Sequence, residues 1–319
     1  MGLQVLSIIR QLAPFVKAET PLGAGSPIDI PCRLWYLFLT DIHAGGVFMM
    51  IPYDLPVLCR QIRQDILRMT HAAGSGHPGG SLSAVEILVE LYFDQMRLDP
   101  AKPDDPDRDR FLLSKGHAAP VLYSVLARRG FFDPALLPTL RQLGSPLQGH
   151  PHMSKLPGLD CSSGSLGQGL SIANGLALAA RRRGADYRTY CLLGDGEVQE
   201  GQVWEAAMTA AHFALDNVCA IVDDNGVQLD GTTQEIMNVE PLPEKFRAFG
   251  WHVLEADGHS LDDLAAAFQL AASTKGKPTA IVAHTVKGKG VSFMENQAAW
   301  HGKAPNEQEL AAALAEVSV

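Results

Sequence analysis

The chain has 319 residues, 46% of them hydrophobic and 19% charged, which is enough apolar material to bury the core of one large domain. Its 35 acidic and 26 basic residues give a formal net charge of −9, and this balance argues against a nucleic-acid-binding protein, which usually carries a basic stripe. No apolar run approaches the roughly 20 residues of a membrane span, and the five cysteines form no CxxC pair, so we expect a cytoplasmic protein with buried thiols and no zinc site.

The first 52 residues differ from the rest of the chain. They hold scattered apolar residues and prolines without sustained periodicity, whereas helical patterning begins directly after Met49-Met50 and Ile51-Pro52. Residues 1–52 are therefore predicted to be an N-terminal extension, either disordered or not native, with the biological start at Met49 or Met50. Residues 53–319 are predicted to form the functional domain.

The next stretch is predicted to contain two helices separated by a glycine-rich loop. Apolar residues recur at helical spacing over 55–71, and the loop 74–80 (GSGHPGG) follows. Ser83 and Glu86 match a capping box, which predicts that a second helix opens there and runs over 84–96.

A short apolar run at 111–113 is typical of a buried strand, and it leads into the segment SKGHA and a helix over 120–129. The glycine-rich segment 162–169 (SSGSLGQG) is predicted to open a long helix that reaches Arg183. Its glycines follow the order GxxGxG rather than GxGxxG, and no ribose-binding acid follows at the right distance. A dinucleotide-binding Rossmann site is therefore not predicted.

A strand–helix–strand unit follows. The apolar run 190–193 ends in Gly194-Asp195-Gly196, an alanine-rich helix is predicted over 200–215, and a β-branched strand over 218–222 runs into Asp223-Asp224-Asn225. A right-handed crossover leaves both strands ending at the same edge of the sheet. We therefore expect Asp195 and Asn225 to face each other.

These strand ends predict a cation site. The Asp195 carboxylate, the Asn225 amide oxygen and the backbone carbonyl of Val227 form an oxygen-only partial shell. Such a shell suits Mg²⁺, or another divalent cation such as Ca²⁺ or Mn²⁺, with phosphate oxygens and water as further ligands. Gly194 and Gly196 permit the close backbone approach that a diphosphate needs. A lone Gly-Asp-Gly is usually a surface turn, but the paired strand ends favour a metal–diphosphate site.

The remaining elements continue the alternation of helices and strands. They are predicted as a helix over 244–249, a strand over 251–256, a helix opened by Ser260 with Asp263, a strand over 280–284 and a terminal helix from 306. This order predicts an α/β fold with a mainly parallel sheet covered by helices on both faces.

Several segments, in this order along the chain, resemble the transketolase family. Those that carry the resemblance are SGHPG at 75–79, RDRFLLSKGH at 108–117, GHP at 149–151, GSLGQG at 164–169, GDG at 194–196, EG at 200–201, EA at 205–206, DN at 224–225 and WHG at 300–302. The resemblance covers roughly residues 53–305. It implies the thiamine-diphosphate-binding fold, with thiamine diphosphate and Mg²⁺ as cofactors.

The resemblance also implies roles for individual residues. The implied cofactor-binding residues are His117, Gly164, Leu166, Asp195, Gly196, Glu200, Asn225 and His301, with Asp195, Asn225 and Val227 as metal ligands. The implied catalytic residues, which orient the sugar and handle hydroxyl protons, are His77, His150 and His301.

The activity that the resemblance implies is transfer of a two-carbon ketol unit between sugar phosphates. Full-length transketolases are about twice as long, and a second domain supplies the glutamate that protonates the pyrimidine ring and phosphate-binding arginines. Nothing in this chain resembles that domain. The chain is therefore expected to be the N-terminal subunit of a split transketolase, which is inactive without a separate C-terminal subunit and forms a heterotetramer with it.

The long helix that ends at Arg183 is predicted to pack very closely against another helix. Gly169, Ala173 and Ala177 form a smooth ridge on which another helix could pack closely, and the corresponding family helix lies at a subunit interface.

Two alternatives are retained. One is the α subunit of a 2-oxo-acid dehydrogenase, which the SGHPG and KGHA segments disfavour. The other is a non-catalytic thiamine-diphosphate-binding module, which the intact metal ligands and four matching histidines disfavour. The sugar phosphates, whether of the pentose phosphate pathway or of a specialised one, would be recognised mostly by residues of the partner subunit.

Overall fold

A five-stranded, all-parallel β-sheet forms the centre of the domain in the computed structural model, which describes residues 53–318. The strands are β1 (Arg110–Leu113), β2 (Thr189–Gly194), β3 (Val218–Asp224), β4 (His252–Asp257) and β5 (Thr279–His284). They lie in the order β1-β2-β3-β5-β4. The predicted extension, residues 1–52, lies outside the described residues.

Helices surround the sheet and connect its strands. The α-helices are α1 (Leu55–Ala73), α2 (Pro78–Leu82), α3 (Val85–Glu90), α4 (Ala119–Arg129), α5 (Gln168–Arg183), α6 (Gly201–His212), α7 (Thr233–Ile236), α8 (Leu242–Ala248), α9 (Leu261–Ser273) and α10 (Glu307–Val317). Short segments of 3₁₀ or π helix occur at Leu91–Gln95, Gly116–Ala118, Pro134–Thr139, Glu197–Gln199 and Ala298–His301. None of the helices described in 53–318 is long and apolar enough to cross a bilayer.

Both faces of the sheet are buried because alternate residues of each strand enter two different hydrophobic cores. In β2, Tyr190 and Leu192 belong to the core that also contains residues of α1, α3, α4 and α9. Cys191 and Leu193, on the opposite face, pack with residues of α5, α6 and α8. The predicted α/β fold with a covered parallel sheet is confirmed.

The strand–helix–strand unit forms as predicted, from β2 through α6 to β3. The two strands pair in parallel with Gly194 opposite Asp223, so both end at the same edge of the sheet. The Asp195 N–H donates to the Asp223 carbonyl at 3.2 Å immediately beyond the pairing. This edge is where ligands usually bind in open parallel sheets.

The predicted capping box at Ser83 and Glu86 is wrong. Ser83 instead donates through Oγ to Asp223 Oδ2 at 2.6 Å, and Glu86 forms a buried ion pair with Arg63 at 2.7 Å. Both side chains bind residues that are distant in the sequence, so neither caps a helix.

The predicted helix over 84–96 is also replaced by shorter pieces. Pro78 opens α2 inside the predicted glycine-rich loop, as its fixed φ allows at the first helical position. Helix α3 then gives way to a π-helical turn at Leu91–Gln95. Position 79 of α2 requires glycine, because a Cβ there would approach the Trp300 carbonyl oxygen to 2.9 Å.

The ridge predicted on α5 packs against other elements of the same domain. Gly169, Ala173 and Ala177 are buried inside this domain, and a Cβ at Gly169 would clash with Ser114. The small residues let α5 approach β1, β2 and α6 closely, so the predicted close packing of a second helix is confirmed, with α6 of the same chain. The exposed side of α5 carries Ile172 and Gly175.

Candidate active site

A cavity of about 260 Å³ opens at the carboxyl edge of β2 and β3. Its lining includes most of the cofactor-binding and metal-binding residues predicted from the sequence: His117, Leu166, Asp195, Gly196, Glu200, Asn225, Val227 and His301. The structure therefore brings together residues from five separate segments of the chain.

Asp195 is a buried carboxylate held by backbone amides. It is 2% exposed, and its two oxygens accept hydrogen bonds from the N–H groups of Gly196 (2.7 Å) and Gly226 (2.6 Å). Burial, followed by the negative charge of Asp223, raises the pKa of Asp195 to about 7. A carboxylate in this environment is stabilised in its ionised form by a cation.

The other two predicted metal ligands lie beside it on the loop after β3. Asn225 donates through Nδ2 to Asp223 Oδ2 at 3.3 Å and accepts at Oδ1 from the Val227 N–H at 3.2 Å. The Val227 carbonyl already faces a cationic group, because it accepts from Lys287 Nζ at 2.7 Å. Carboxylate, amide and carbonyl oxygens are the donors that a hard divalent cation prefers, so these residues fit one.

The cation site would differ from one built of side chains alone. In the part of the chain that the structure describes, no group of three or more His, Cys, Asp and Glu side chains is arranged to hold a metal. A cation bound by Asp195, Asn225 and Val227 would therefore need further oxygen ligands from phosphate or water, as Mg²⁺ commonly does.

Lys287 is a functional candidate that the sequence reasoning missed. It is 3% exposed, lines the cavity, and donates to the Val227 carbonyl and to His301 Nδ1 (2.9 Å), neither of which is an anion. Burial lowers its pKa to about 8. A buried ammonium in contact with neutral acceptors suits an anionic ligand such as a phosphate. The signal was a lysine placed just after a strand, at the edge where ligands bind.

A second lysine, Lys115, was also missed, and it forms a buried ion pair with Asp223. The two side chains are 2% and 0% exposed, and Lys115 Nζ donates as well to the Gly80 carbonyl at 2.8 Å. Burial alone would raise the pKa of Asp223, but Lys115 and the hydroxyl donors Ser83 and Thr285 hold it below its usual range. Asp223 thus stays ionised and has a cationic partner within the chain.

Three histidines meet on the other side of the cavity, where His117 and His301 line it and His77 lies against both rings. The ring centroids of His77, His117 and His301 lie 5.0–5.3 Å apart. Burial lowers the pKa of each ring, and a neighbouring cation lowers it further: Arg141 beside His77, Lys115 beside His117 and Lys287 beside His301. The pKa falls to about 4 for His77 and about 3 for His301, so both rings are neutral at pH 7.

Two of these rings have a defined tautomer. His77 Nδ1 lies 3.3 Å from Arg141 Nη2, and His301 Nδ1 lies 2.9 Å from Lys287 Nζ. Because arginine and protonated lysine only donate, each Nδ1 accepts and the ring proton resides on Nε2. Both rings therefore offer an Nε2–H donor.

His150, the remaining predicted catalytic residue, does not line the cavity. It is exposed, and its ring lies against Gly164, where a Cβ would approach it to 3.1 Å. Gly164 has φ +136°, a conformation that favours glycine. Partial burial and the Arg141 charge lower the pKa of His150.

The loop that carries Gly164 and Leu166 is tied to the cation site by Glu197, another residue that the sequence reasoning missed. Glu197 is 3% exposed and accepts from the N–H groups of Gly167 (2.9 Å) and Gly194 (3.1 Å). Its carboxylate thus fixes the end of β2 relative to that loop. Glu200, by contrast, is exposed where it lines the cavity.

Comparison with known proteins gives consistent matches. Residues 57–317 match the family model described as "Transketolase, thiamine diphosphate binding domain". The 6-deoxy-6-sulfo-D-fructose transketolase subunit SqwG of Clostridium sp. (strain MSTE9) is 46% identical over 264 residues, which cover 83% of this chain and 96% of that protein. An apulose-4-phosphate transketolase subunit from Phocaeicola vulgatus is 44% identical over 256 residues, covering 80% of this chain and 91% of that protein.

The fold also matches solved structures. The transketolase from Leishmania mexicana superposes with a TM-score of 0.79 at 33% identity, covering 83% of this chain and 41% of that one. The chain thus spans nearly the whole length of the two bacterial subunits, but about two fifths of the solved enzyme.

Proposed function

The chain belongs to the transketolase family, and we propose that it is the N-terminal subunit of a split transketolase that transfers a two-carbon ketol unit between sugar phosphates. One observation carries the proposal. A buried carboxylate suited to a cation, Asp195, and a buried ammonium suited to an anion, Lys287, line the same cavity. A divalent cation together with a diphosphate satisfies both groups at once.

In this proposal the cofactor is held mainly by groups at the ends of β2, β3 and β5. Asp195, Asn225 and the Val227 carbonyl bind Mg²⁺, or Ca²⁺ or Mn²⁺ in its place. Lys287 and a ring N–H of neutral His117 donate to the diphosphate, which adds no further fixed charge at His117. The remaining proposed cofactor contacts are Gly164, Leu166, Gly196, Glu200 and His301.

When bound, thiamine diphosphate supplies the electron sink that carbon–carbon bond cleavage next to a ketose carbonyl requires. The chain's own contribution is hydrogen bonding and proton handling at the sugar. The Nε2–H groups of His77 and His301 donate to sugar oxygens and fix their orientation, while His150 acts at the exposed side. Since both Nδ1 atoms accept from cations, these rings act at pH 7 as neutral donors rather than as imidazolium acids.

A separate C-terminal subunit completes the site in this proposal. The cavity of about 260 Å³ is smaller than the roughly 300–1,000 Å³ of pockets that enclose organic ligands, as expected where a second chain closes it. The near full-length match to proteins named as transketolase subunits supports the same arrangement. We propose a heterotetramer in the cytoplasm, where the buried free thiols of Cys59, Cys191 and Cys219 would stay reduced.

The test is a ketol-transfer assay with thiamine diphosphate and Mg²⁺, on the chain alone and mixed with a candidate C-terminal subunit. We expect activity in the mixture and none from the chain alone. Clear activity from the isolated chain would contradict the split-enzyme proposal. Cofactor binding without transfer, for every donor tried, would instead favour a non-catalytic binding module.

The donor sugar can be narrowed in the same assay. Two relatives are named for apulose 4-phosphate and 6-deoxy-6-sulfo-D-fructose, so these two donors and fructose 6-phosphate form the first panel. The highest kcat/KM among the three would distinguish a specialised pathway from the pentose phosphate pathway.

A further inference from the structure

A buried charged cluster lies outside the cavity, where the turn after β4 meets α1 and α3. Arg63 and Glu86 form an ion pair at 2.7 Å with side chains 10% and 8% exposed, and His259 Nδ1 lies 3.0 Å from Glu86 Oε2. Burial alone would raise the pKa of Glu86, but the hydrogen bond from His259 and the charge of Arg63 hold it below its usual range. Glu86 is therefore an ionised acceptor for the histidine.

The second ring nitrogen of His259 holds the backbone of a neighbouring loop. The Val286 N–H donates to His259 Nε2 at 2.8 Å. Because a backbone amide can only donate, Nε2 is the acceptor and carries no proton. The ring proton is then on Nδ1, which donates to Glu86, so the tautomer is fixed from both sides.

The loop held in this way, residues 285–290, carries Lys287 into the cavity. Lys287 directly follows Val286, and its Nζ donates to the Val227 carbonyl at 2.7 Å. On the other side of Lys287, Arg63 Nε donates to the Lys289 carbonyl at 3.1 Å. The Arg63–Glu86–His259 cluster thus hydrogen-bonds to the backbone on both sides of Lys287, at Val286 and at Lys289.

The turn that carries His259 is in close contact with the same loop. The Gly258 N–H donates to the His284 carbonyl at 2.8 Å, and a Cβ at Gly258 would clash with the Thr285 side chain. There is no space for the turn to shift without moving the start of the loop. A change at His259 is therefore transmitted to Val286 and Lys287.

We propose that His259 is a positioning residue for Lys287, and that by accepting the Val286 N–H it sets the strength with which the cavity binds a diphosphate. This inference rests on the proposed function, since it takes the anion at Lys287 to be the diphosphate of the cofactor. His259 acts through the loop and touches neither cofactor nor substrate.

Two substitutions separate the two hydrogen bonds of the ring. In His259→Gln, the side-chain oxygen is as many bonds from Cα as Nε2, so it can still accept from Val286, whereas the donor to Glu86 is lost. In His259→Asn, the amide nitrogen reproduces the Nδ1 donor, whereas the acceptor for Val286 is lost. His284→Asn is the matched control, because His284 precedes the loop but is 54% exposed and hydrogen-bonds Asp224 instead.

Two measurements on the full chain test the proposal. The first is hydrogen exchange at the Val286 amide without ligand. We expect His259→Asn to exchange roughly fivefold faster or more, as loss of one hydrogen bond implies, with His259→Gln and His284→Asn close to wild type. The second is calorimetric binding of inorganic diphosphate with Mg²⁺. We expect His259→Asn to weaken it by roughly 10–100-fold, the usual effect of removing a residue that orients a ligating group.

Equal exchange at Val286 in His259→Asn and wild type would overturn the anchoring role. Faster exchange with unchanged diphosphate affinity would overturn the effect on binding and leave His259 as a purely structural residue, as would equal losses of affinity in the Gln and Asn variants. If wild type itself failed to bind diphosphate with Mg²⁺, the diphosphate site of the proposed function would be wrong, while the exchange result would still decide the anchoring role.

Discussion

The cavity has a side proposed to bind a cation, formed by Asp195, Asn225 and Val227 (the cation side), and a side formed by His77, His117 and His301 (the histidine side). Burial shifts pKa values in opposite directions on these two sides. At the strand ends, burial raises the pKa of Asp195 to about 7, whereas across the cavity burial lowers the pKa of His301 to about 3. In both places the low-dielectric interior favours the neutral group. The acid therefore depends on an incoming cation to stay ionised at lower pH, while the histidines keep their neutral form without one.

The two sides also differ in how the chain builds them. The cation side consists of residues that directly follow two adjacent strands, so its geometry comes from the sheet itself. The histidine side is assembled from loops and short helices that approach from separate parts of the chain. Two lysines connect the sides. Lys115 contacts Asp223 at the end of β3 and the Gly80 carbonyl in α2. Lys287 contacts the Val227 carbonyl on the cation side and His301 on the histidine side.

The largest expected effect is on the cation side. Asp195→Asn keeps the shape of the side chain but removes the charge, and we expect it to abolish Mg²⁺-dependent binding of thiamine diphosphate and ketol transfer. Calorimetric titration and the reconstituted assay measure both. Asp230→Asn, at an exposed carboxylate on the loop after β3 that also carries Asn225 and Val227, is the control and should behave like wild type. Retained cation-dependent binding in Asp195→Asn would show that the cation side lies elsewhere.

A substitution on the histidine side should lower kcat more than it weakens cofactor binding. We expect His77→Ala to lower kcat by roughly 10²–10⁴-fold, the usual contribution of a positioned proton donor, with little change in thiamine diphosphate affinity. Steady-state kinetics of the reconstituted enzyme give kcat, and titration of the cofactor gives its affinity. The exposed His152, replaced by alanine, serves as the control. An unchanged kcat in His77→Ala would remove His77 from the catalytic group.

Removing Lys115, one of the two lysines that connect the sides, should lower the free energy of unfolding. Lys115→Met leaves Asp223 buried without its cation, and removing one partner of such a pair typically costs about 3–5 kcal/mol of unfolding free energy. Arg247→Met, at an exposed pair with Glu244, should cost about 0–1 kcal/mol. Urea denaturation followed by circular dichroism measures both. Similar losses in the two variants would mean that Ser83 and Thr285 alone stabilise the Asp223 carboxylate.

The remaining prediction is a pH dependence of stability. The folded pKa values of His77 and His301, about 4 and about 3, lie below their ordinary value of 6.5, so protonation favours the unfolded chain. Their contribution is fully present above pH 6.5 and is lost as the pH falls toward 4. The raised pKa of Asp195 makes its contribution to the unfolding free energy change with pH in the opposite direction. That contribution is the same in wild type and in a His77→Gln/His301→Gln variant, so it cancels when the two proteins are compared.

The measurement for this comparison is urea denaturation at pH 7.5, 6, 5 and 4.5 on both proteins, with the pH values chosen to span the window above about 4. We expect wild type to lose unfolding free energy relative to the double variant as the pH falls. A constant difference across the series would mean that the two rings titrate normally in the folded chain.

The local pattern of the sequence determined most of the fold and one side of the cavity. Helix α9 begins after Ser260, whose side chain accepts from the Asp263 N–H, and α5 ends at Gly184 in the left-handed conformation, as predicted. Asp195 and Asn225 were predictable for a similar reason. Parallel strands joined by a crossover end at one edge, so residues that follow them are neighbours whatever else the chain does.

The tertiary structure decided which hydrogen-bond and ion-pair partners the polar side chains would have. Ser83 and Glu86 matched a capping box but bind Asp223 and Arg63, and the small-residue ridge of α5 packs inside the domain. Lys287 lies in the cavity because it contacts Val227, which is distant in sequence, and the local sequence pattern does not predict that contact. Periodicity and capping depend on interactions within about one helical turn, whereas buried charges are selected by partners that only folding brings within hydrogen-bond distance.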